Sequence, residues 1–275
     1  RWENEREVFV ESIRCEKDVL PTTAKVVIDH LSGDIEGNAY IFVNSLEFIK
    51  ELIKACKLDD TNCRVIYSKN NKTVLPVKRG STIDQPKKIN LITSTAFEGA
   101  DIYDTEGKTY VVSDNRKVHT LTDISTSFQQ CAGRCRNSKY WNKLTHIFGT
   151  TRYSNNVSYN EFKQACENTK AEAFATINEC NKLSENVRKV VDVACETYVV
   201  KSDNIFTFDA NLLKIDLYNF KITKCLYAIR INVDTEMMNN GFIVNTVVSD
   251  IAFVDKIEKE KQKTFQEVVE EIHNM

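Results

Sequence analysis

The 275-residue sequence predicts an α/β fold: a parallel sheet flanked by helices, followed by a mainly helical C-terminal region. Three observations predict it. Short apolar runs such as "AYIFV", "CRVIYS" and "INLITS" are what strands carry when both of their faces are buried, as in a parallel sheet. Stretches with helical spacing alternate with these runs, which is the βα order of a parallel sheet. The texture then changes near residue 154: "SYNEFKQACENTKAEAFATINECNKLSENVRKVVDVACETYVV" is rich in helix formers and has no Gly or Pro.

Thr23 to Leu31 reads as a helix, begun by Pro21 and the adjoining threonines and stopped near Gly33. "NAYIFVNS" supplies the first strand. Ser45 then stands as an N-cap, and Leu46, Ile49, Ile53 and Cys56 fall on one face of a second helix. "CRVIYS" (63–68) is the next strand. "NNKTVLPVKRGSTIDQPKK" is polar and broken by two prolines, so it reads as loop. "INLITS" (89–94), "TYVVSD" (109–114) and "LTHIFGTT" (144–151) are strands, and "TDISTSFQQCAGRCRNS" is a polar loop entering a short helix. Ser158 and Glu161 have capping-box spacing. "NIFTFDANLLKIDLYN" holds short strands, whereas "KITKCLYAIRINV" and the last stretch, "DIAFVDKIEKEKQKTFQEVVEEIH", read as helical. Residues 1–20 read as a linker, 21–153 as the sheet domain and 154–275 as a helical accessory region.

The formal net charge of -2 excludes a global basic field, so a nucleic-acid partner requires a local patch. No apolar run reaches a membrane span, and the first residues, "RWENEREVFV", lack the apolar core of a signal peptide. The chain has no initiator Met, and its last residues read as an unfinished helix, which suggests a fragment of a longer protein. Nine scattered cysteines, with no C-x-x-C pair, fit reduced thiols and a cytoplasmic protein without a zinc site.

Gly107, Lys108 and Thr109 form the triplet that ends a phosphate-binding loop. The full motif is G-x-x-x-x-G-K-S/T leading into a helix. Here Ile102 stands where the first Gly belongs, and a strand follows. The triplet reads as a turn entering that strand, and Lys108 as a solvated side chain. No acidic run suited to magnesium follows a strand either. The chain alone therefore lacks the parts that bind a triphosphate and its metal.

Three other stretches carry chemistry. In "QQCAGRCRNS", Gln130, Gly133 and Arg134 share one helical face, with Arg136 just beyond. Glycine permits close backbone approach, and guanidinium groups bind phosphate through paired hydrogen bonds. The plain alternative is a basic surface helix. In "LITSTAFEGADI", Thr93 and Ser94 end a buried strand, with Gly99 and Asp101 following. Hydroxyls and amides at the carboxyl end of a parallel strand face the ligand crevice and suit phosphate oxygens. Asp101 is placed to accept from a ribose hydroxyl or to orient an arginine; the alternative is an ordinary strand-to-helix turn. In "IFVNS", Asn44 and Ser45 occupy another strand end, where Ser45 is equally an N-cap.

In chain order these stretches resemble motifs IV, V and VI of the second RecA-like domain of superfamily-2 helicases of the DEAD/DEAH type. "IFVNS" is similar to motif IV, "TSTAFEGAD" to motif V, and "QCAGRCR" to motif VI. The final Arg comes two residues after Arg134 rather than three, as in the shorter motif VI of some viral and mobile-element helicases, including the origin-binding type. The resemblance covers roughly residues 20–152. It implies a RecA-like sheet and the C-terminal half of an ATP-dependent helicase or translocase acting on single- or double-stranded nucleic acid, DNA rather than RNA.

The missing first RecA-like domain would bring the P-loop, and with it ATP and Mg2+; this chain alone would bind neither and hydrolyse nothing. Arg134 and Arg136 would approach the γ-phosphate, with Gln130 helping to close the cleft. Gly99, Asp101 and Gly133 would face the nucleotide. Asn44, Ser45, Thr93 and Ser94 would line the nucleic-acid strand. This places both guanidinium groups along the carboxyl rim of the sheet, and the motor reading depends on that placement. The rival reading is a non-enzymatic RecA-like scaffold in a replication or defence complex, with no need of two arginines.

Overall fold

The computed structural model describes residues 7–97, 100–151, 158–192 and 198–248. The elements, in chain order, are β1 (Val8–Cys15), α1 (Val19–Ser32), β2 (Asn38–Phe42), α2 (Leu46–Cys56), β3 (Cys63–Ile66), β4 (Ile89–Ile92), β5 (Gly107–Ser113), α3 (Gln129–Ala132), β6 (Lys143–Gly149), α4 (Tyr159–Lys182), α5 (Glu185–Val190), β7 (Val199–Ser202), β8 (Ile205–Phe208), α6 (Ala210–Phe220), α7 (Arg230–Asn239) and β9 (Phe242–Val248). Two compact units divide the chain: residues 1–151 with 229–275, and residues 152–228.

The first unit is the expected α/β structure. Its seven strands run in the order β3-β4-β2-β5-β6-β1-β9, and every neighbouring pair is parallel. All four residues of β3 and of β4 are buried, as are Ala39 to Phe42 of β2, which is why these runs lack alternation. Asn90 is the polar exception in β4, and its amide is fully used. It donates to the carbonyls of Ala39 and Lys87 and accepts from Nε of Arg64 on β3. Arg64 also donates through Nη1 to the carbonyls of Ser81 and Asp84. With Gly80 N donating to Val65 O at 2.8 Å, these bonds hold part of the proline-broken stretch along the outer edge of β3. The edge of the sheet is thereby shielded from pairing with another chain.

Helices α1 and α2 seal one face. Val19, Val27, Phe48, Ile49 and Leu52 pack with Ile41, Val65, Leu91 and Val112 in one buried cluster. Helix α1 begins before the expected Thr23, because the Asp18 carboxylate accepts from Leu20 N and caps it there. Pro21 then lies in the first turn, where its missing N–H costs no helical bond. Gly33 ends the helix at φ 90°, a conformation that favours glycine. Ser45 caps α2, its Oγ accepting from Phe48 N at 3.2 Å.

Two strands arise where the sequence reading put none. β1 lies within the stretch read as linker, and β9 within the accessory region, yet both pair in the sheet. Glu11 and Arg14 interrupt the apolar pattern of β1, so it does not read as a buried run. β9, "FIVNTVV", is β-branched and follows a turn at Gly241, φ 86°. Helix α7 is tied over these strands by one buried carboxylate. Asp234 accepts from Ser12 Oγ on β1 at 2.6 Å and from Thr246 Oγ1 on β9 at 3.3 Å, with Arg230 Nε 3.4 Å away.

The second unit is mainly helical. Ser158 and Glu161 form the capping box of α4, each satisfying the other's backbone N–H. Of the stretch read as short strands, residues 205–208 form β8 and the rest is mostly helix α6, while β7 begins in the stretch read as helix-forming; β7 and β8 make an antiparallel hairpin turned by Asp203 and Asn204 with φ of 51° and 60°. Asn181 of α4 brackets Phe206, accepting from its N–H and donating to its carbonyl. Among the described residues no helix is long and apolar enough to cross a membrane.

Candidate functional site

Because all seven strands are parallel, one edge of the sheet collects their carboxyl ends and the opposite edge their amino ends. The candidate residues divide between the two edges. Asn44, Ser45, Thr93 and Ser94 follow β2 and β4 and lie at the carboxyl edge. Asp101, Gln130, Gly133, Arg134 and Arg136 gather near the starts of β5 and β6, at the amino edge. Gly99, the other nucleotide-facing candidate, lies outside the described residues.

The expectation that Arg134 and Arg136 lie along the carboxyl rim is therefore corrected. A crossover between parallel strands leaves the carboxyl end of one strand and must return to the amino end of the next. The segment 123–136 leaves β5, passes through a π-helical turn (Ile124–Phe128) and α3, and enters β6. Its last residues must reach the amino edge. The segment from Thr93 to Asp101 makes the same return before β5, and the two meet there. Ile102 N donates to Arg134 O at 3.0 Å, and Arg136 N donates to Ile102 O at 2.9 Å. Ile102 and Cys135 form the resulting parallel bridge.

The two arginines have different surroundings. Arg134 is 7% exposed, and its whole guanidinium is occupied. Nε donates to Gln130 O at 2.9 Å, Nη1 to Ala100 O at 3.0 Å, and Nη2 to Gln130 Oε1. It ties the two crossovers together. Arg136 is exposed, and its Nε donates to Asp101 Oδ1 at 2.7 Å. Among the described residues, Nη1 and Nη2 of Arg136 have no partner. Gly133 ends α3 at φ -94°, a conformation open to any residue, and its N–H donates to Gln130 O.

At the carboxyl edge most of the candidate polar groups serve local structure. Ser45 Oγ is the α2 cap. Asn44 Nδ2 donates to His119 O at 3.1 Å, and Thr93 Oγ1 donates to Ile66 O and Thr95 Oγ1 at 3.4 Å each. Ser94 and Thr95 are exposed. The nearby cations are neutralised. Lys117 bridges Glu47 and Glu51, and Arg116 bridges Asp18 and Asp114. Bonds to these carboxylates outweigh burial and raise the pKa of both cations.

Sequence reasoning missed a cavity of about 630 Å³ at the amino edge. Its walls come from α3, the 135–141 segment, the start of β1 and the turn between α7 and β9. The turn enters only because β9 joins the sheet, and no local sequence signal reports that pairing. The Gly107 triplet begins β5, as its sequence context suggests, and Lys108 Nζ lies 4.4 Å from the centre of the Tyr140 ring. No protein-family model, curated protein or solved structure matches the chain.

Proposed function

We propose that the chain is the second motor lobe, the C-terminal half, of an ATP-dependent helicase or translocase acting on DNA. The amino-edge position of the two arginines counts against this reading; what supports it is that the meeting of two crossovers leaves Arg136 exposed, with two guanidinium nitrogens unpartnered among the described residues. A guanidinium held by one carboxylate and open on its other side is suited to the charge developing on a transferred phosphoryl group. In this reading Arg134 does not touch phosphate. It fixes the backbone from which Arg136 projects, and Asp101 holds the Arg136 side chain between encounters. ATP and Mg2+ arrive on the P-loop lobe, and Ser94 and Thr95 offer exposed hydroxyls to a strand at the opposite edge.

The test is nucleic-acid-stimulated ATP hydrolysis by the polypeptide that also carries the P-loop lobe. Arg136→Ala is expected to lower the rate about a thousandfold, and an unchanged rate would defeat the reading. Robust hydrolysis by the 275-residue chain alone would defeat it as well.

A second reading, a RecA-like scaffold without catalysis, is favoured by one observation. Asp101 and Gln130 already satisfy much of the arginine pair, so two adjacent arginines do not by themselves require a bound anion. The scaffold predicts that Arg136→Ala leaves hydrolysis unchanged and that Arg134→Ala acts only through folding.

A further inference from the structure

We propose that the outer edge of β9 is a self-association surface, on which two copies of this chain pair their β9 strands antiparallel about a two-fold axis at Asn245. The inference stands apart from the motor reading: β9 lies outside the helicase-like stretches, and a scaffold could carry the surface equally well. The seven-stranded sheet ends in β3 on one side and in β9 on the other. The β3 edge is shielded by the stretch that Arg64 and Gly80 hold against it. Among the described residues nothing pairs with the outer edge of β9. A strand edge presents unpaired N–H and C=O groups, and proteins that stay single blunt such edges with charges, proline or bulges. β9 has none of these. "FIVNTVV" holds no charged residue and no proline, and it pairs with β1 without a break in register. The charges stand instead in β1, an inner strand, as Glu11 and Arg14.

Three features select a second copy as the occupant. The first is the asymmetry of the two edges. With β3 shielded, copies cannot stack head to tail into an open filament, whereas β9 against β9 closes at two. The second is the order of residues within the strand. A two-fold axis perpendicular to the sheet keeps each face continuous, so residues that meet across it must share a face. Centred on Asn245, that register sets Ile243 opposite Val247 and Val244 opposite Thr246, each twice, and Asn245 opposite itself. The apolar and β-branched pairs stabilise a sheet, no like charges are opposed, and the two amides can each donate and accept. The third is the surface beside the edge. Ile243 is 40% exposed and neighbours Phe9 of β1, 41% exposed, on the same face. Val247 of the second copy would extend this apolar step across the axis. A pair of seven-residue strands lies at the small end of stable interfaces, so the association belongs in the micromolar range.

The experiment is sedimentation equilibrium of the 275-residue chain. A reversible monomer–dimer equilibrium is expected, with a dissociation constant on the order of 10 μM. Asn245→Lys sets like charges opposite each other at the axis and is expected to weaken association about tenfold or more. Asn245→Thr, which keeps a neutral strand former, is expected to leave it within about threefold. Asn245 is exposed, and circular dichroism verifies that each variant is folded. Cross-linking reads the register. Residues opposite each other in an antiparallel pair have Cβ atoms about 5 Å apart, close to what a disulfide needs. In oxidised glutathione, Asn245→Cys is therefore expected to give a disulfide-linked dimer beyond any formed by the parent chain, and Thr246→Cys, which faces Val244, is expected to give none. A chain that stays monomeric up to about ten times the expected dissociation constant overturns the proposal. So do assemblies that grow beyond a dimer, association untouched by Asn245→Lys, or Thr246→Cys cross-linking as well as Asn245→Cys. None of these outcomes depends on ATP hydrolysis, so failure here and failure of the motor reading are separable.

Discussion

The two edges of the sheet carry similar residue types and make opposite use of them. At the carboxyl edge, Asn44, Ser45 and Thr93 spend their polar atoms on internal bonds, and Arg116 and Lys117 are paired with four carboxylates. At the amino edge, Arg134 too is bonded internally, but in doing so it presents Arg136 half-paired beside a cavity. What distinguishes a candidate site is therefore unfinished pairing, not residue type. A polar group whose partners are all internal contributes to the fold, and a charged group with free donors is available to a ligand.

The largest effect expected is on Arg136. Under the proposed motor reading, loss of its charge would correspond to about 4 kcal/mol of transition-state stabilisation, a thousandfold in rate, with little change in folding because the side chain is exposed. Arg134→Ala should invert that pattern. It removes the donor to Ala100 O and Gln130 Oε1 and one of the two to Gln130 O, where the arginine itself is buried and its acceptors are not, at a cost of about 2 kcal/mol in stability. Urea unfolding would show the loss. If Arg134→Ala left stability intact, the contrast between the two arginines would break.

The same contrast shows what was legible in the sequence. The strands β2 to β6 and helices α1 and α2 were readable because continuous apolar runs and capped, periodic helices report local conformation directly. That the stretches holding Asp101 and Arg136 belong together was visible as a family-like order. Their edge was not read correctly, although topology alone decides it: residues just before a strand in a parallel crossover lie at its amino end. β1 and β9 were not legible for another reason. Their pairing joins Phe9 to Ile243 and Val10 to Val244, partners more than two hundred residues apart, and neither segment carries a long apolar run. The cavity inherits that illegibility, since Asn240 and Phe242 reach it only through β9.

Acid offers a way to weaken the sheet without touching either edge. His30 is buried with Nδ1 3.0 Å from Gly37 O and Nε2 2.9 Å from Tyr110 Oη, and burial pushes its pKa down to about 4. His146 on β6 is buried between Phe128 and Phe148, and burial lowers its pKa to about 3. Both are neutral when folded and bind a proton near pH 6.5 when unfolded. The unfolded state therefore takes up more protons below that value. The stability they contribute is full above pH 6.5 and is lost as the pH falls towards 4 and 3. Between pH 7 and pH 5 the expected loss is about 2 kcal/mol for each histidine. A urea midpoint that holds steady across this interval would show that neither imidazole is as secluded as its surroundings indicate.

The smallest expected effect tests the carboxyl edge where the two readings of one residue differ. Ser45 Oγ accepts from Phe48 N, and the residue is 6% exposed. As an N-cap, its replacement by Ala should cost about 1 kcal/mol of stability. As a phosphate contact, it should also weaken DNA binding. The geometry favours the cap, because the hydroxyl oxygen is engaged by the helix and the side chain is covered. Fluorescence anisotropy with a labelled single strand should therefore give the same affinity for Ser45→Ala and the parent, under conditions where both are folded. Ser94→Ala, which removes an exposed hydroxyl from the neighbouring strand end, should weaken binding slightly. With Arg116 and Lys117 already paired to carboxylates, few counterions are released at this edge, so the salt dependence of that binding should be shallow, a slope of about -1 to -2 on logarithmic axes. A steep slope would mean that DNA contacts a set of cations elsewhere, and that the carboxyl edge is not its path.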